Sequence, residues 1–260
     1  MKLGIPTLIE LPNIKAHLEL CKLWGLDFVE INMTYPDYQP ENLKAKVIRE
    51  YKRKYNIDFS LHLPEDLNPA SFHSEVRHAY CNRLVEMMYW AAEAEIKVVN
   101  VHLPKGIYIS LPKRKMFLYD EHFEYYLQCM ISAVESIIPI AEKYGISFCI
   151  ENCGDFGNKY QKALLESVLH HKQVGITWDV GHDYSSKYKD FEVIDKYIDK
   201  VRHIHLHDSN GQRDHLSLGT GEIDIPRIYK FSEERNISMV IEVKSKKALI
   251  RSISHLEQFK

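Results

Sequence analysis

Residues 202–208 read Arg202-His203-Ile204-His205-Leu206-His207-Asp208. Alternation by two makes this a short strand, with His203, His205 and His207 on one face and Arg202, Ile204 and Leu206 on the other. Three imidazoles on one face are not core filler, because each ring carries two nitrogens that need partners once buried. A neutral imidazole is also among the commonest metal ligands. The stretch therefore asks whether other strands end at the same level with ligand-type residues.

Working outward, short apolar runs alternate with longer amphipathic ones. Strands are expected near 2–5, 27–32, 58–63, 97–103, 146–151, 174–179, 201–207 and 238–243. Helical patterns fall near 11–24, 41–56, 72–95, 121–144, 160–170, 189–200, 224–235 and 246–258. Gly25 and Gly145 each sit where a helix should end and a strand begin. Eight strand–helix units over 1–260, without a composition break, predict a single-domain α/β fold, the (β/α)8 TIM barrel. A doubly wound open sheet is the alternative, but no Gly-x-Gly-x-x-Gly follows the first strand. Two insertions interrupt the rhythm on the face where barrel active sites lie: 32–40, with Tyr35 and Tyr38, and 104–120, with Lys105, Lys113, Arg114 and Lys115. Both are expected as loops. The aromatic residues at 119–126 are a candidate subunit contact, and the oligomeric state is open.

Composition narrows the partners. Lys plus Arg is 34 and Asp plus Glu is 36, for a net charge of -2. That gives no bulk basic field for nucleic acid or an anionic membrane. No basic segment followed by a long apolar run opens the chain, and no 18-residue apolar stretch occurs. The five cysteines are scattered and odd in number. No disulfide framework is expected, and a cytoplasmic, reducing location is.

The strand ends carry the chemistry. Strand 3 ends in His62, strand 4 in His102, strand 5 in Glu151 and strand 6 in Asp179. Strand 7 offers His205, and strand 8 ends in Glu242. The same alternation turns Ser60, Asn100, Cys149, Thr177 and Val240 inward. It turns the larger Phe59, Val101, Phe148, Ile150, Trp178 and Ile241 outward, onto helices. Three carboxylates and three imidazoles at one level would repel or be driven toward protonation unless a cation sits among them. A divalent metal removes that cost, and mixed nitrogen and oxygen donors suit Zn²⁺ or Mn²⁺, as one or two ions. His182 and His215 lie in the loops above and are further candidate ligands. Glu30 faces inward from strand 2 and is a candidate substrate contact. His203 should lie one layer deeper and need a hydrogen-bond partner, while His207 and Asp208 read as supports for the ligands.

The chain resembles the xylose isomerase-like TIM-barrel superfamily, which holds sugar isomerases and epimerases and the endonuclease IV group. The resembling residues are His62, His102, Ile150-Glu151-Asn152, Trp178-Asp179-Val180-Gly181-His182, His205-Leu206-His207-Asp208, His215-Leu216-Ser217-Leu218-Gly219 and Ile241-Glu242. The resemblance to the epimerases implies a metal held by Glu151, Asp179, His205 and Glu242. It implies proton transfer beside a carbonyl by Glu151 and Glu242 through an enediolate, with His182 on the substrate. The resemblance to the nucleases implies further ligands at His62, His102, His182 and His215, and cleavage at abasic sites in DNA as the alternative activity. The nucleases' Asp-x-His pair is incomplete: Arg213 stands at the Asp position and becomes a candidate substrate contact. Asp214 is one residue out of register and should point elsewhere. Glu65 and Asp66 follow His62, where two acids would oppose a phosphate backbone. A metal-dependent sugar or sugar-phosphate isomerase or epimerase is the expected function.

Overall fold

The computed structural model describes residues 1–259. Eight parallel strands close into a barrel: β1 Leu3–Pro6, β2 Phe28–Asn32, β3 Asp58–His62, β4 Val98–His102, β5 Ser147–Glu151, β6 Val174–Asp179, β7 Val201–Leu206 and β8 Ser238–Ile241. Each strand pairs with its sequence neighbours, and β1 closes the ring on β8 through Leu3 with Met239 and Gly4 with Val240. Helices follow the strands, at Ile14–Trp24, Ala45–Tyr55, Ser74–Glu93, Phe123–Tyr144, Lys159–Val168, Lys189–Lys196, Ile225–Arg235 and Lys246–Leu256. Gly25 and Gly145 end their helices at φ 63° and 62°, in the left-handed region that glycine enters without a Cβ penalty.

The inward and outward sets follow the expected parity. Phe59, Val101, Phe148, Ile150, Trp178 and Ile241 are buried between strands and helices. Ser60, Asn100, Cys149, Thr177 and Val240 are buried inside the ring. Arg202 departs from the alternation. The register shifts between Ile176 and Thr177, so that Ile176 pairs with Val201 and Thr177 with His203, leaving Arg202 as an extra residue. The irregularity re-aims its side chain. It lies over Gly175 and donates to Ser147 Oγ at 3.1 Å, at the N-terminal end of the barrel.

The 104–120 insertion is more ordered than a loop. Tyr108–Ser110 and Lys115–Phe117 pair as an antiparallel hairpin, with Lys113, Arg114 and Lys115 exposed at its end. Of the aromatic residues at 119–126, Tyr119 and Tyr126 face the interior. They are buried within the chain, with ring centroids 4.7 Å apart and Tyr126 4.9 Å from Tyr160. An unanticipated short helix, Val180–Ser185, follows β6 at once.

Candidate active site

The strands bring Glu151, Asp179, His205 and Glu242 together, with one donor atom from each within 4.8 Å of the others. Glu151 closes β5 and Asp179 closes β6, while Glu242 lies just past β8, its amide still bonded to the Leu206 carbonyl at 2.9 Å. His205 Nδ1 lies 3.2 Å from Glu151 Oε1 and 3.1 Å from Glu242 Oε2. Neither contact has hydrogen-bond direction: both ring nitrogens of His205 and Oε2 of Glu242 are buried without such a partner. Convergent carboxylates around an unsatisfied imidazole are a donor set that a divalent cation would satisfy, so these residues fit the metal expected from their types.

Charge in this cluster is strongly coupled. Burial pushes the Glu151 carboxyl up, but the His205 and His102 imidazoles override it and hold the group well below the usual carboxylate range. Burial likewise opposes ionisation of Glu242, and His205 outweighs it. For His205, burial favours the neutral ring, yet Glu151, Glu30 and Glu242 lift it well above its ordinary value.

Beneath the cluster, Glu30 is buried, with Oε2 hydrogen-bonded and Oε1 turned toward His205. Oε1 lies 2.9 Å from His205 Nε2. Oε2 lies 3.1 Å from His203 Nε2 and accepts from Ser60 Oγ at 2.9 Å. His203 Nδ1 lies 2.6 Å from Ser238 Oγ, so the deeper histidine has the partners it requires. Asn100 donates to Glu151 Oε2.

A second group forms beside the first. His102 Nε2 and His62 Nε2 lie 3.1 Å and 3.5 Å from Glu151 Oε2. A third comprises His182, His207 and His215. His207 Nε2 lies 3.1 Å from Asp179 Oδ1, and its Nδ1 accepts the His215 amide at 2.9 Å. Burial opposes protonation of His207, but Asp179 raises it to about 9. Gly181 makes this packing possible, because a Cβ there would fall 1.9 Å from the His207 ring. Burial pushes His215 down to about 4.

Asp214 does not point elsewhere, as its register implies. Its Oδ2 lies 3.7 Å from His182 Nδ1. His215 adopts φ 54°, a left-handed conformation that breaks strict alternation and lets neighbouring residues face the same way. Arg213 is exposed on this loop. Asp208 braces it, accepting amides from Ser209 at 2.9 Å, Gly221 at 2.8 Å and Ile223 at 3.2 Å. Two residues at the site have no role assigned from the sequence, although Asn152 belongs to the resembling Ile150-Glu151-Asn152 stretch. Asn152 accepts the Asp179 amide at 2.7 Å, and Lys244 donates to Glu242 Oε1 at 2.6 Å.

The family described as the xylose isomerase-like TIM barrel matches residues 18–259. The chain belongs to this family. Within it, the chain is 29% identical over 258 residues to uncharacterized protein MJ1311 of Methanocaldococcus jannaschii, covering 95% of this chain and 84% of that one. It is 23% identical over 254 residues to the inosose isomerase of Halalkalibacterium halodurans, covering 91% and 84%. Among solved structures it is similar to a D-tagatose 3-epimerase-like protein, with a TM-score of 0.79, 27% identity, and 100% and 97% of the two chains covered. The zinc-bound IOLI protein shares the fold, with a TM-score of 0.76 at 18% identity over 100% and 98% of the chains. Its family neighbours include sugar epimerases and isomerases. No helix among the described residues is long and apolar enough to cross a membrane.

Proposed function

We propose that the chain is a metal-dependent isomerase or epimerase of a sugar or sugar phosphate. The observation that carries the reading is the placement of two carboxylates about one imidazole nitrogen. Glu151 and Glu242 approach His205 Nδ1 from strands three places apart around the ring. Similarity to sugar epimerases and an inosose isomerase supports the same class.

Glu151, Asp179, His205 and Glu242 would hold the cation, Zn²⁺ or Mn²⁺. The cation supplies electrostatic stabilisation of the negative charge that develops on the substrate carbonyl oxygen. One glutamate takes the proton from the carbon beside the carbonyl, and the other holds the proton that is returned. Return to the opposite face inverts the centre; return to the neighbouring carbon interconverts aldose and ketose. Glu30 sets His205, because a carboxylate beside Nε2 favours the proton there and leaves the Nδ1 lone pair facing Glu151 and Glu242. His182 and Arg213, above the cluster, are the residues proposed to meet substrate oxygens. The test is incubation of metal-loaded protein with aldoses and ketoses in D₂O. Deuterium should enter beside the carbonyl, and no exchange across the panel would overturn the reading.

A second reading rests on His62, His102 and Glu151, which can hold a second cation, and on the separate group of His182, His207 and His215. Two ions suit an endonuclease IV-like phosphodiesterase acting at abasic DNA. Glu65 and Asp66 are exposed beside His62 and oppose a phosphate backbone. Nicking of an abasic duplex that a chelator abolishes would favour this second reading over the first.

A further inference from the structure

Three observations converge on Lys244, two residues beyond Glu242. Its Nζ lies 2.6 Å from Glu242 Oε1, while Oε2 of the same carboxylate faces His205 at 3.1 Å. Its side chain is 58% exposed, so the ammonium is held by Glu242 and not by packing. It also helps line a recess of about 100 Å³ shared with Thr7, Asn32, Tyr35, His62 and Glu242. The recess thus joins Glu242 of the four-residue cluster to the polar groups of Thr7, Asn32 and Tyr35, on a wall shared with apolar Leu8, Ile9 and Val243, a mixed lining that suits the hydroxyl groups and carbon skeleton of a sugar.

The geometry limits what the ammonium can reach. A carboxylate that exchanges a proton with carbon must come within about 3–3.5 Å of it. An ammonium on the other oxygen of that carboxylate then lies within one further hydrogen-bond length of the oxygens on that carbon or the next. While it stays on Oε1 it occupies the atom best placed to take the proton. An exposed lysine on a four-carbon stem is free to move.

We propose that Lys244 is a substrate-contacting residue of this site. On binding, its ammonium leaves Glu242 Oε1 and takes an oxygen of the sugar in the recess, freeing that carboxylate oxygen for the proton. The inference rests on the sugar isomerase or epimerase reading. A merely structural role predicts little to measure, because exposed ion pairs contribute about 0–1 kcal/mol.

The test compares wild type with Lys244→Met and Lys244→Arg, all metal-loaded, by calorimetric binding of a panel of ketohexoses and ketopentoses. Cation affinity and thermal unfolding are measured in parallel, with deuterium exchange on the same samples. For the ketose that binds, Lys244→Met should raise Kd about tenfold or more, the loss of one charge-assisted hydrogen bond. Lys244→Arg should recover most of it, and cation affinity and Tm should stay at wild-type values. Equal ketose binding by Lys244→Met and wild type would overturn the inference while leaving the sugar reading intact. Loss of cation affinity in Lys244→Met would overturn it in favour of a role in positioning Glu242. A wild-type protein that neither binds nor exchanges any ketose would overturn both, since the ligand assigned to Lys244 would then be wrong.

Discussion

Glu30→Gln separates what the buried carboxylate does for the fold from what it does for the site. The substitution keeps shape and volume and removes one negative charge. In the wild type, Glu30 faces His205 Nε2 at 2.9 Å, His203 Nε2 at 3.1 Å and Ser60 Oγ at 2.9 Å. A glutamine can meet all three. Its carbonyl can face His205 as Oε1 does now, without hydrogen-bond direction, and its amide donates to His203 and Ser60, provided His203 carries its proton on Nδ1 toward Ser238. The hydrogen-bond count then survives, and the stability cost should stay near 1 kcal/mol. The charge that favours a lone pair on His205 Nδ1 is gone. Loss of such a partner costs about 10–100-fold in metal affinity, which is roughly 1.4–2.7 kcal/mol. The assay is competition between the protein and a chelator of known affinity for Zn²⁺ and Mn²⁺, with circular dichroism confirming the fold. Affinity within threefold of wild type, in a folded variant, would refute the role given to Glu30.

Glu151→Gln and Glu242→Gln should each fold and each lower exchange beside the carbonyl by about 10²-fold or more; wild-type exchange in either would remove that glutamate from the chemistry. Chelation should abolish activity and lower Tm. At a hundredfold excess over Kd a bound ion contributes about 2.7 kcal/mol, or roughly 5–10 °C at 2–4 °C per kcal/mol, and an unchanged Tm would argue against a bound ion in the native state. Cation uptake near neutral pH should release a proton. Burial opposes a charged His205, but Glu151, Glu30 and Glu242 lift it well above its ordinary 6.5, and the ion must displace that proton. Affinity should therefore rise with pH until the raised value is passed, read by calorimetry in two buffers of different ionisation heat; identical heats would count against it. In the cation-free protein the sign reverses. The raised His205 contributes stability that is complete below 6.5 and lost as pH rises through its folded value, so chelated protein should melt lower in alkaline than in neutral buffer.

The barrel was legible because its two periodicities are local. Alternation by two told inward Ser60, Asn100 and Thr177 from outward Phe59, Val101 and Trp178, and the amphipathic runs supplied a helix after each strand. Strand ends then placed His62, His102, Glu151, Asp179, His205 and Glu242 at one level, because a parallel ring aligns what sequence separates. The sequence by itself determined the closed ring and the identity of the residues that share its mouth. Tertiary structure alone decided how they are partnered. A register shift re-aimed Arg202, and a left-handed His215 brought Asp214 to His182. Glu30 went beneath His205, and Lys244 went onto Glu242. Alternation states which face a side chain leaves by. The atom it meets depends on backbone irregularities and on neighbours from distant strands, which no local pattern carries.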